Sequence, residues 1–345
     1  MVAKKVNSKK LLITFGIFIV LLAYFIIFEL PRKTKEEEKK RIFHFVHADV
    51  NKFEIIKKDY MIEVERIGNN WRITKPRELP ASKIDVDAFI SDVRDLYIEK
   101  VIGKNLPDLS QYGLDAPKLV LKLWLGKGKK QQLLVLNVGN QNPDKSGYYS
   151  KLENNPEVVL LENFTESVID KDLFYFRDKD VFKVKQNEIE EFKIALANEL
   201  YNAKREKNIW KLLKPVSKTN LKEESINKIL ISLAELKIKK FYDEGEKKKI
   251  NIANAGLISP DIKIEIIDKS KKSYVLYIGK EVKNQNAYYA KKKGKDLIFS
   301  IDKYIINDLK KDLEKLKEKD EEKNKGKKES SGKAGKSKKK GNKHK

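Results

Sequence analysis

The chain contains an internal duplication, and this feature limits the folds that it can adopt. The segment Trp71-Arg72-Ile73-Thr74-Lys75-Pro76 recurs 139 residues later as Trp210-Lys211-Leu212-Leu213-Lys214-Pro215. Solenoid repeats are only about 20–50 residues long, so this period indicates two related domains rather than a repeat array.

Other segments keep the same register between the two copies. The apolar residues Val86, Phe89, Ile90, Val93 and Leu96 correspond to Ile226, Ile229, Leu230, Leu233 and Leu236. Gly113 in a Gly-Leu-x-x-Pro segment corresponds to Gly256, and the pair Tyr148-Tyr149 corresponds to Tyr288-Tyr289. The offset drifts by three residues and returns in the next loop, where insertions are tolerated. We therefore predict duplicated modules over residues 41–178 and 179–315.

Each copy reads as an α+β module, a mostly antiparallel sheet with one or two packed helices. Strands are predicted over 42–46, 53–56, 60–67 and 71–74 of the first copy, and over 181–184 and 192–194 of the second. The apolar stripe predicts a helix that begins near Ser82, or near Asn220 in the second copy. Alternating strands follow over 119–123, 133–138, 148–151 and 158–161, ending in a short helix.

The shared motifs are interpreted as structural. Trp71 and Trp210 are predicted core residues, each followed by a lysine (Lys75, Lys214) and a strand-ending proline (Pro76, Pro215). Gly113 and Gly256 are expected in turns that need an unusual backbone conformation. In each tyrosine pair, one ring should be buried and the other exposed, since adjacent strand residues face opposite sides.

An apolar run of 18 uncharged residues covers 11–28. As a helix it would be ~27 Å long, close to the ~30 Å hydrocarbon core of a bilayer. A cleaved signal peptide is the rival interpretation, but its apolar region is only about 7–15 residues long and ends at a small-x-small site, absent here. We predict a transmembrane anchor over 11–30, between a basic cytoplasmic N-terminus (1–10) and a charged linker (31–40). The modules are expected outside the cytoplasm, although basic residues flank both ends of the run.

The sequence offers no recognisable catalytic constellation. It has no cysteine, which excludes disulfides, thiolate catalysis and cysteine zinc sites. Its three histidines are His44, His47 and His344, and the first two would face opposite sides of a predicted strand. A Ser-His-Asp triad and a phosphate-binding loop are also missing. We expect a protein that is not an enzyme, with no cofactor and no metal site.

The C-terminal segment 316–345 is predicted to be a disordered, lysine-rich tail. Residues 323–345 hold eleven lysines and one acidic residue, Glu329. Such a tail can attract anionic lipid or an anionic polymer by salt-dependent electrostatics. Specific nucleic-acid recognition is not expected, because the tail has no aromatic residue on which bases could stack.

The order of anchor, Trp-x-x-x-Lys-Pro, amphipathic helix, Gly-Leu-x-x-Pro turn, glycine-ended strand and Tyr-Tyr strand resembles domain-of-unknown-function family 4340 over roughly residues 40–315. Members of that family are membrane-anchored, extracytoplasmic, and often encoded beside ABC-type export components of the gliding-motility type. The resemblance implies a single-pass accessory protein of the cell (inner) membrane within a transporter complex, and it implies no catalytic residue.

Two other functions remain open on the sequence. One is an envelope-binding protein whose basic tail holds anionic polymer or lipid. The other is a hydrolase or metal enzyme. It would need a cleft with converging titratable groups, and no such groups can be identified in the sequence. Functional positions are expected where the copies differ: at His44 and Val184, in the loops around Gly126 and Lys269, and in the tail.

Overall fold

A computed structural model describes residues 8–29, 40–197, 199–216, 221, 223–243 and 250–316. These residues form two compact units that divide after Asp178, and each unit is described by itself. Each unit contains one antiparallel sheet and a few helices, an α+β arrangement.

The N-terminal segment is helical. Helix α1 covers Ser8–Tyr24 and is followed by a π-helical turn over Phe25–Glu29. Across the described residues, no helix is both long and apolar enough to cross a membrane. The anchor over 11–30 stays a prediction. The predicted linker and tail lie almost entirely outside the described residues.

The first unit has a nine-stranded sheet in the order β4-β3-β2-β1-β6-β7-β8-β9-β5, and every pairing is antiparallel. The strands are β1 Val50–Lys57, β2 Tyr60–Ile67, β3 Asn70–Lys75, β4 Leu79–Pro80, β5 Ile98–Lys104, β6 Leu119–Leu125, β7 Gln132–Gln141, β8 Gly147–Leu152 and β9 Glu157–Glu162. Besides α1, its α-helices are α2 Lys83–Arg94, α3 Thr165–Ile169 and α4 Leu173–Phe176.

The described strands of the second unit follow the same order, β12-β11-β10-β14-β15-β16-β17-β13, again antiparallel throughout, and the residues equivalent to β4 lie outside the described residues. Its strands are β10 Ile189–Leu196, β11 Glu199–Glu206, β12 Ile209–Lys214, β13 Lys240–Phe241, β14 Ile262–Asp268, β15 Ser273–Val282, β16 Ala287–Lys292 and β17 Ile298–Asp302. Helix α5 covers Glu223–Ala234, and residues 303–316 form helix α6. The shared order agrees with a duplicated module.

The apolar stripe of each long helix is buried, as its spacing predicts. In α2, Val86, Phe89, Ile90 and Val93 are buried, and the rings of Phe53 and Phe89 lie 4.8 Å apart. The helix begins where expected, because the Ser82 hydroxyl accepts a hydrogen bond from the backbone N–H of Asp85 at 3.3 Å. The predicted cap at Asn220 lies outside the described residues.

Two predicted strands are wrong. Residues 42–46 and 181–184 are not in strands, although Ile42, Phe43, Val181 and Phe182 are buried. The backbone N–H of Ile42 donates to the Leu96 carbonyl just beyond the end of α2, and Val181 donates in the same way to Leu236, each at 3.0 Å. The alternating pattern of these segments therefore reflects packing against a helix end.

Those two hydrogen bonds also correct the alignment of the copies. They place the segments at an offset of 139, so His44 corresponds to Lys183 and not to Val184. The tyrosine prediction is likewise only partly right. Tyr148 is buried beside the half-buried Tyr149, but Tyr288 and Tyr289 are both half-buried.

Candidate functional site

The Trp-x-x-x-Lys-Pro motif lies in the sheet and the core of each module. Trp71 and Trp210 are both buried, and each carries an arginine guanidinium over its ring. The indole Nε1 of Trp71 donates to Asp87 Oδ1 at 3.1 Å. Burial raises the pKa of Asp87, but hydrogen bonds from Lys83 and Trp71 outweigh it and hold the pKa below its ordinary value. The motif thus ties the hairpin to α2.

The lysine and proline of the motif lie at the end of the hairpin, which is β2–β3 in the first module and β11–β12 in the second. The Lys75–Pro76 and Lys214–Pro215 peptide bonds are both cis. The Lys75 ammonium lies 3.2 Å from Glu63 Oε2 on the neighbouring strand.

Each motif glycine lies in a tight turn that packs against a second glycine on a strand. Gly113 and Gly256 have φ angles of 68° and 71°, in the left-handed region that favours glycine. Each turn lies against a second glycine on a strand: a Cβ at Gly139 would sit 2.1 Å from the Tyr112 carbonyl oxygen, and one at Gly279 would sit 2.1 Å from that of Ala255. Both modules therefore need two glycines where the turn meets the sheet.

A charged network covers the face of the first sheet opposite α2. Glu54 and Glu63 are cross-strand neighbours and are both buried. Lys52 Nζ lies 3.4 Å from Glu54 and 3.0 Å from Glu63, and the Thr74 hydroxyl donates to Glu63 Oε1 at 2.6 Å. Burial raises the pKa of Glu63, but hydrogen bonds from Thr74, Lys52 and Lys75 prevail and lower the pKa to about 2.

The second sheet reverses the charge at four positions around this network, while the buried Glu63 has a neutral counterpart, Asn202. Two cross-strand pairs of the first sheet are Lys52–Glu65 and Glu54–Lys122. Their counterparts in the second sheet are Glu191–Lys204 and Lys193–Glu265. Opposite charges across strands attract in either orientation, so the attraction within these two pairs is preserved while the sign at their four positions changes. A site that binds or activates a substrate would require a particular sign.

Tyr148 takes part in a second polar cluster. Its hydroxyl donates to Glu166 at the start of α3, and Lys118 pairs with the same carboxylate. The hydrogen bond to Glu166 raises the pKa of Tyr148 to about 12. These contacts attach α3 to β8, which is a structural role.

A groove of about 570 Å³ opens in the first module where three separate segments meet. Residues 41–46 form one wall, the end of α2 another, and the loop 126–132 a third. The lining residues are Arg41, Phe43, His44, Phe45, Val46, Asp49, Arg94, Leu125, Gly126, Lys130 and Gln132. The groove brings together two of the positions at which functional differences are expected, His44 and the loop around Gly126.

The groove walls are held by local backbone contacts. Gly126 donates from its backbone N–H to the Asp49 carbonyl at 2.8 Å and adopts φ 73°. A Cβ at Gly126 would lie 2.9 Å from the Lys130 carbonyl oxygen, so glycine permits the tight turn that presents Lys130. On the opposite wall, the guanidinium of Arg41 lies 5.9 Å from the centre of the Tyr97 ring.

Of the described histidines, His47 lies beside a single carboxylate, with 3.9 Å between its Nε2 and Asp87 Oδ1. His44 is exposed, and His47 Nε2 lies 3.1 Å from the Asp87 carbonyl oxygen. Within the part of the chain that the structure describes, no group of three or more His, Cys, Asp or Glu side chains could hold a metal ion. His344 lies outside the described residues.

Comparison with known proteins identifies one family. The family model described as "Domain of unknown function (DUF4340)" matches residues 71–255 and 246–330, which together cover most of both modules. A search of curated proteins and a search of solved structures found no match.

Proposed function

Since the chain belongs to the DUF4340 family, we propose that it is a non-enzymatic accessory protein of an ABC-type export system. One membrane span at residues 11–30 holds it in the cell membrane, and its two modules lie outside the cytoplasm. The association of the family with export components supports the partner, and the 18-residue apolar run supports the span.

The reversal of charge at four equivalent sheet positions supports the non-enzymatic part of this proposal. Glu54 and Lys193 occupy equivalent positions, as do Lys122 and Glu265. General acid–base catalysis depends on a particular titratable group at a particular position, and these positions exchange an acid for a base. The broad antiparallel sheets instead serve as scaffolds whose loops and exposed surfaces contact a partner protein.

Affinity purification tests the partner. The full chain with an N-terminal tag is extracted from membranes in mild detergent, and the co-purifying proteins are identified by mass spectrometry. We expect an ATPase and a permease subunit, recovered equally with a control chain that lacks residues 323–345. A chain that is reproducibly recovered alone would contradict the proposal.

The lysine-rich tail supports a second candidate, an envelope-binding protein that holds anionic polymer or lipid. Its eleven lysines give a strong, salt-dependent attraction to anionic surfaces. The full chain should then sediment with phosphatidylglycerol vesicles at low salt, and deletion of 323–345 should abolish most of that binding. If binding persists undiminished after the deletion, the tail does not carry the function.

Protease digestion of intact spheroplasts tests the orientation. The modules should be cleaved without lysis when they lie outside the cytoplasm, whereas a cytoplasmic control protein should stay intact. Protection of the modules until lysis would place them inside.

A further inference from the structure

The groove of the first module contains more guanidinium than carboxylate. Arg41 and Arg94 both pair with Asp95: Arg41 contacts Oδ1 at 3.0 Å, while Arg94 contacts Oδ1 at 3.1 Å and Oδ2 at 3.3 Å. Two positive charges thus share one negative charge. In addition, Arg41 Nε is buried and has no hydrogen-bond acceptor among the described residues. Because buried donors are nearly always paired, this N–H adds an unsatisfied donor to a pair of guanidiniums that already outnumbers its carboxylate.

The remaining lining residues determine which acceptor suits the groove. Lys130 adds a third cation and the exposed His44 adds an imidazole, while Asp49 partly offsets this charge. Guanidinium groups match the geometry of phosphate oxygens, and an ammonium beside them adds a point charge. Phe45 and Val46 supply apolar surface for a group attached to the phosphate, since Phe45 is half-buried and Val46 is exposed.

The fold does not require the arginine pair. In the second module Asp180 stands at the position of Arg41, and Ala234 stands at the position of Arg94. The backbone bridge between Arg41 and Tyr97 recurs between Asp180 and Lys237, whose side chains pair with each other. The same backbone is therefore stable without the cationic cluster, which identifies the cluster as a feature of the first module.

The groove also lies close along the chain to the N-terminal helix. Arg41 follows Glu29, the last residue of the π-helical turn, by only twelve positions. A chain of that length spans roughly 40 Å at most, since an extended residue covers about 3.3–3.6 Å. On the proposed membrane location, this tether keeps the groove within reach of lipid headgroups.

We propose that this groove, with Arg41, Arg94 and Lys130, binds a phosphate group that carries an apolar substituent. An anionic phospholipid headgroup and a free phosphate ester share this chemistry. Binding of a lipid headgroup rests on the proposed membrane location, whereas binding of a free phosphate ester does not. Neither kind of binding depends on association with an exporter.

The test is calorimetric titration of the full chain in an uncharged detergent. Three probes are added separately: hexyl phosphate, dihexanoyl phosphatidylglycerol and dihexanoyl phosphatidylcholine. We compare the natural chain with the groove variant Arg41→Gln/Arg94→Gln. The control variant Arg72→Gln/Lys104→Gln removes two exposed charges of the same module that lie outside the groove.

The groove variant should lose about tenfold or more in affinity for phosphatidylglycerol, because charge-assisted hydrogen bonds are lost. The affinity of the control variant should stay within about twofold of that of the natural chain. The lysine tail is present in all of these proteins, so it does not cause a difference between them. Binding of hexyl phosphate as tight as that of phosphatidylglycerol would identify a free phosphate ester as the ligand. Preference for phosphatidylglycerol would identify a headgroup.

Equal affinities of the natural chain and the groove variant would overturn the proposal, as would equal binding of phosphatidylcholine and phosphatidylglycerol. A second variant guards against misfolding. Arg41→Asp/Tyr97→Lys installs the pair that the second module already accommodates, so it should fold and should also lose binding. If this folded variant binds phosphatidylglycerol like the natural chain, the groove is not the site.

Discussion

Replacement of Glu63 by glutamine should make the stability of the first module much less dependent on pH. The Glu63 side chain is only 10% exposed and lies within 3.2 Å of the ammonium groups of Lys52 and Lys75. Glutamine has nearly the same shape but no charge, so Glu63→Gln removes the ion pairs without leaving a cavity. The neighbouring Thr74 hydroxyl can still donate to the amide oxygen.

The magnitude follows from the lowered pKa. Burial opposes ionisation, yet hydrogen bonds from Thr74, Lys52 and Lys75 bring the pKa of Glu63 from its ordinary 4.5 to about 2. One pH unit is worth about 1.4 kcal/mol, so the ionised carboxylate stabilises the folded module by on the order of 3 kcal/mol. A folded pKa below the unfolded value means that this stability is present above about pH 5 and is lost as the pH falls toward 2. By pH 3 less than half should remain.

Urea unfolding at a series of pH values between 7 and 3, followed by tryptophan fluorescence, measures this effect. The difference between the natural chain and Glu63→Gln should be largest at pH 7 and should shrink steadily below pH 5. Glu65→Gln is the matched control, since Glu65 lies on the same face of the same strand but is exposed. A Glu63→Gln difference that is the same at pH 7 and pH 3 would refute the electrostatic reasoning.

Two further substitutions test the contacts that the modules share or do not share. In urea unfolding, Trp71→Phe should lower the free energy of unfolding by about 1–2 kcal/mol more than Trp210→Phe, because it also leaves the half-buried Asp87 without the indole donor. Equal losses in the two variants would contradict a role for that hydrogen bond. Gly139→Ala should cost on the order of 3 kcal/mol, since its Cβ would meet a backbone carbonyl at 2.1 Å. Gly68→Ala, which meets no atom within 4 Å, should cost only about 1–2 kcal/mol for its left-handed φ, and a Gly139 variant as stable as this control would refute the close contact.

The regular elements could be predicted because each leaves a local pattern. Strand β6 alternates buried and partly exposed residues along its whole length, and helix α2 carries a cap and a continuous apolar stripe. Edge strand β5 could not be predicted because its exposed and half-buried residues follow no period of two, and its counterpart in the second unit, β13, has only two residues. Residues 42–46 misled the prediction because burial against a helix end produces the same alternation as a strand.

The groove could be predicted only in part. Its lining comes from three distant segments, so no spacing in the sequence brings Arg41, Arg94 and Lys130 together. The available signal was the divergence between the copies, which pointed to His44 and the loop around Gly126. Correct alignment at an offset of 139 would also have shown an arginine at 41 opposite an aspartate at 180.

The two modules diverge in two physically different ways, and the difference separates scaffold from site. Across the outer sheet faces, Lys52–Glu65 becomes Glu191–Lys204, so a change on one strand is matched by the opposite change on its neighbour. Such compensation maintains stability and implies no ligand. At the groove the balance itself changes, because two guanidiniums share the Asp95 carboxylate in the first module, while the second has aspartate in place of Arg41 and alanine in place of Arg94. Selection for folding alone does not explain an uncompensated charge, whereas selection for an anionic ligand in one module does.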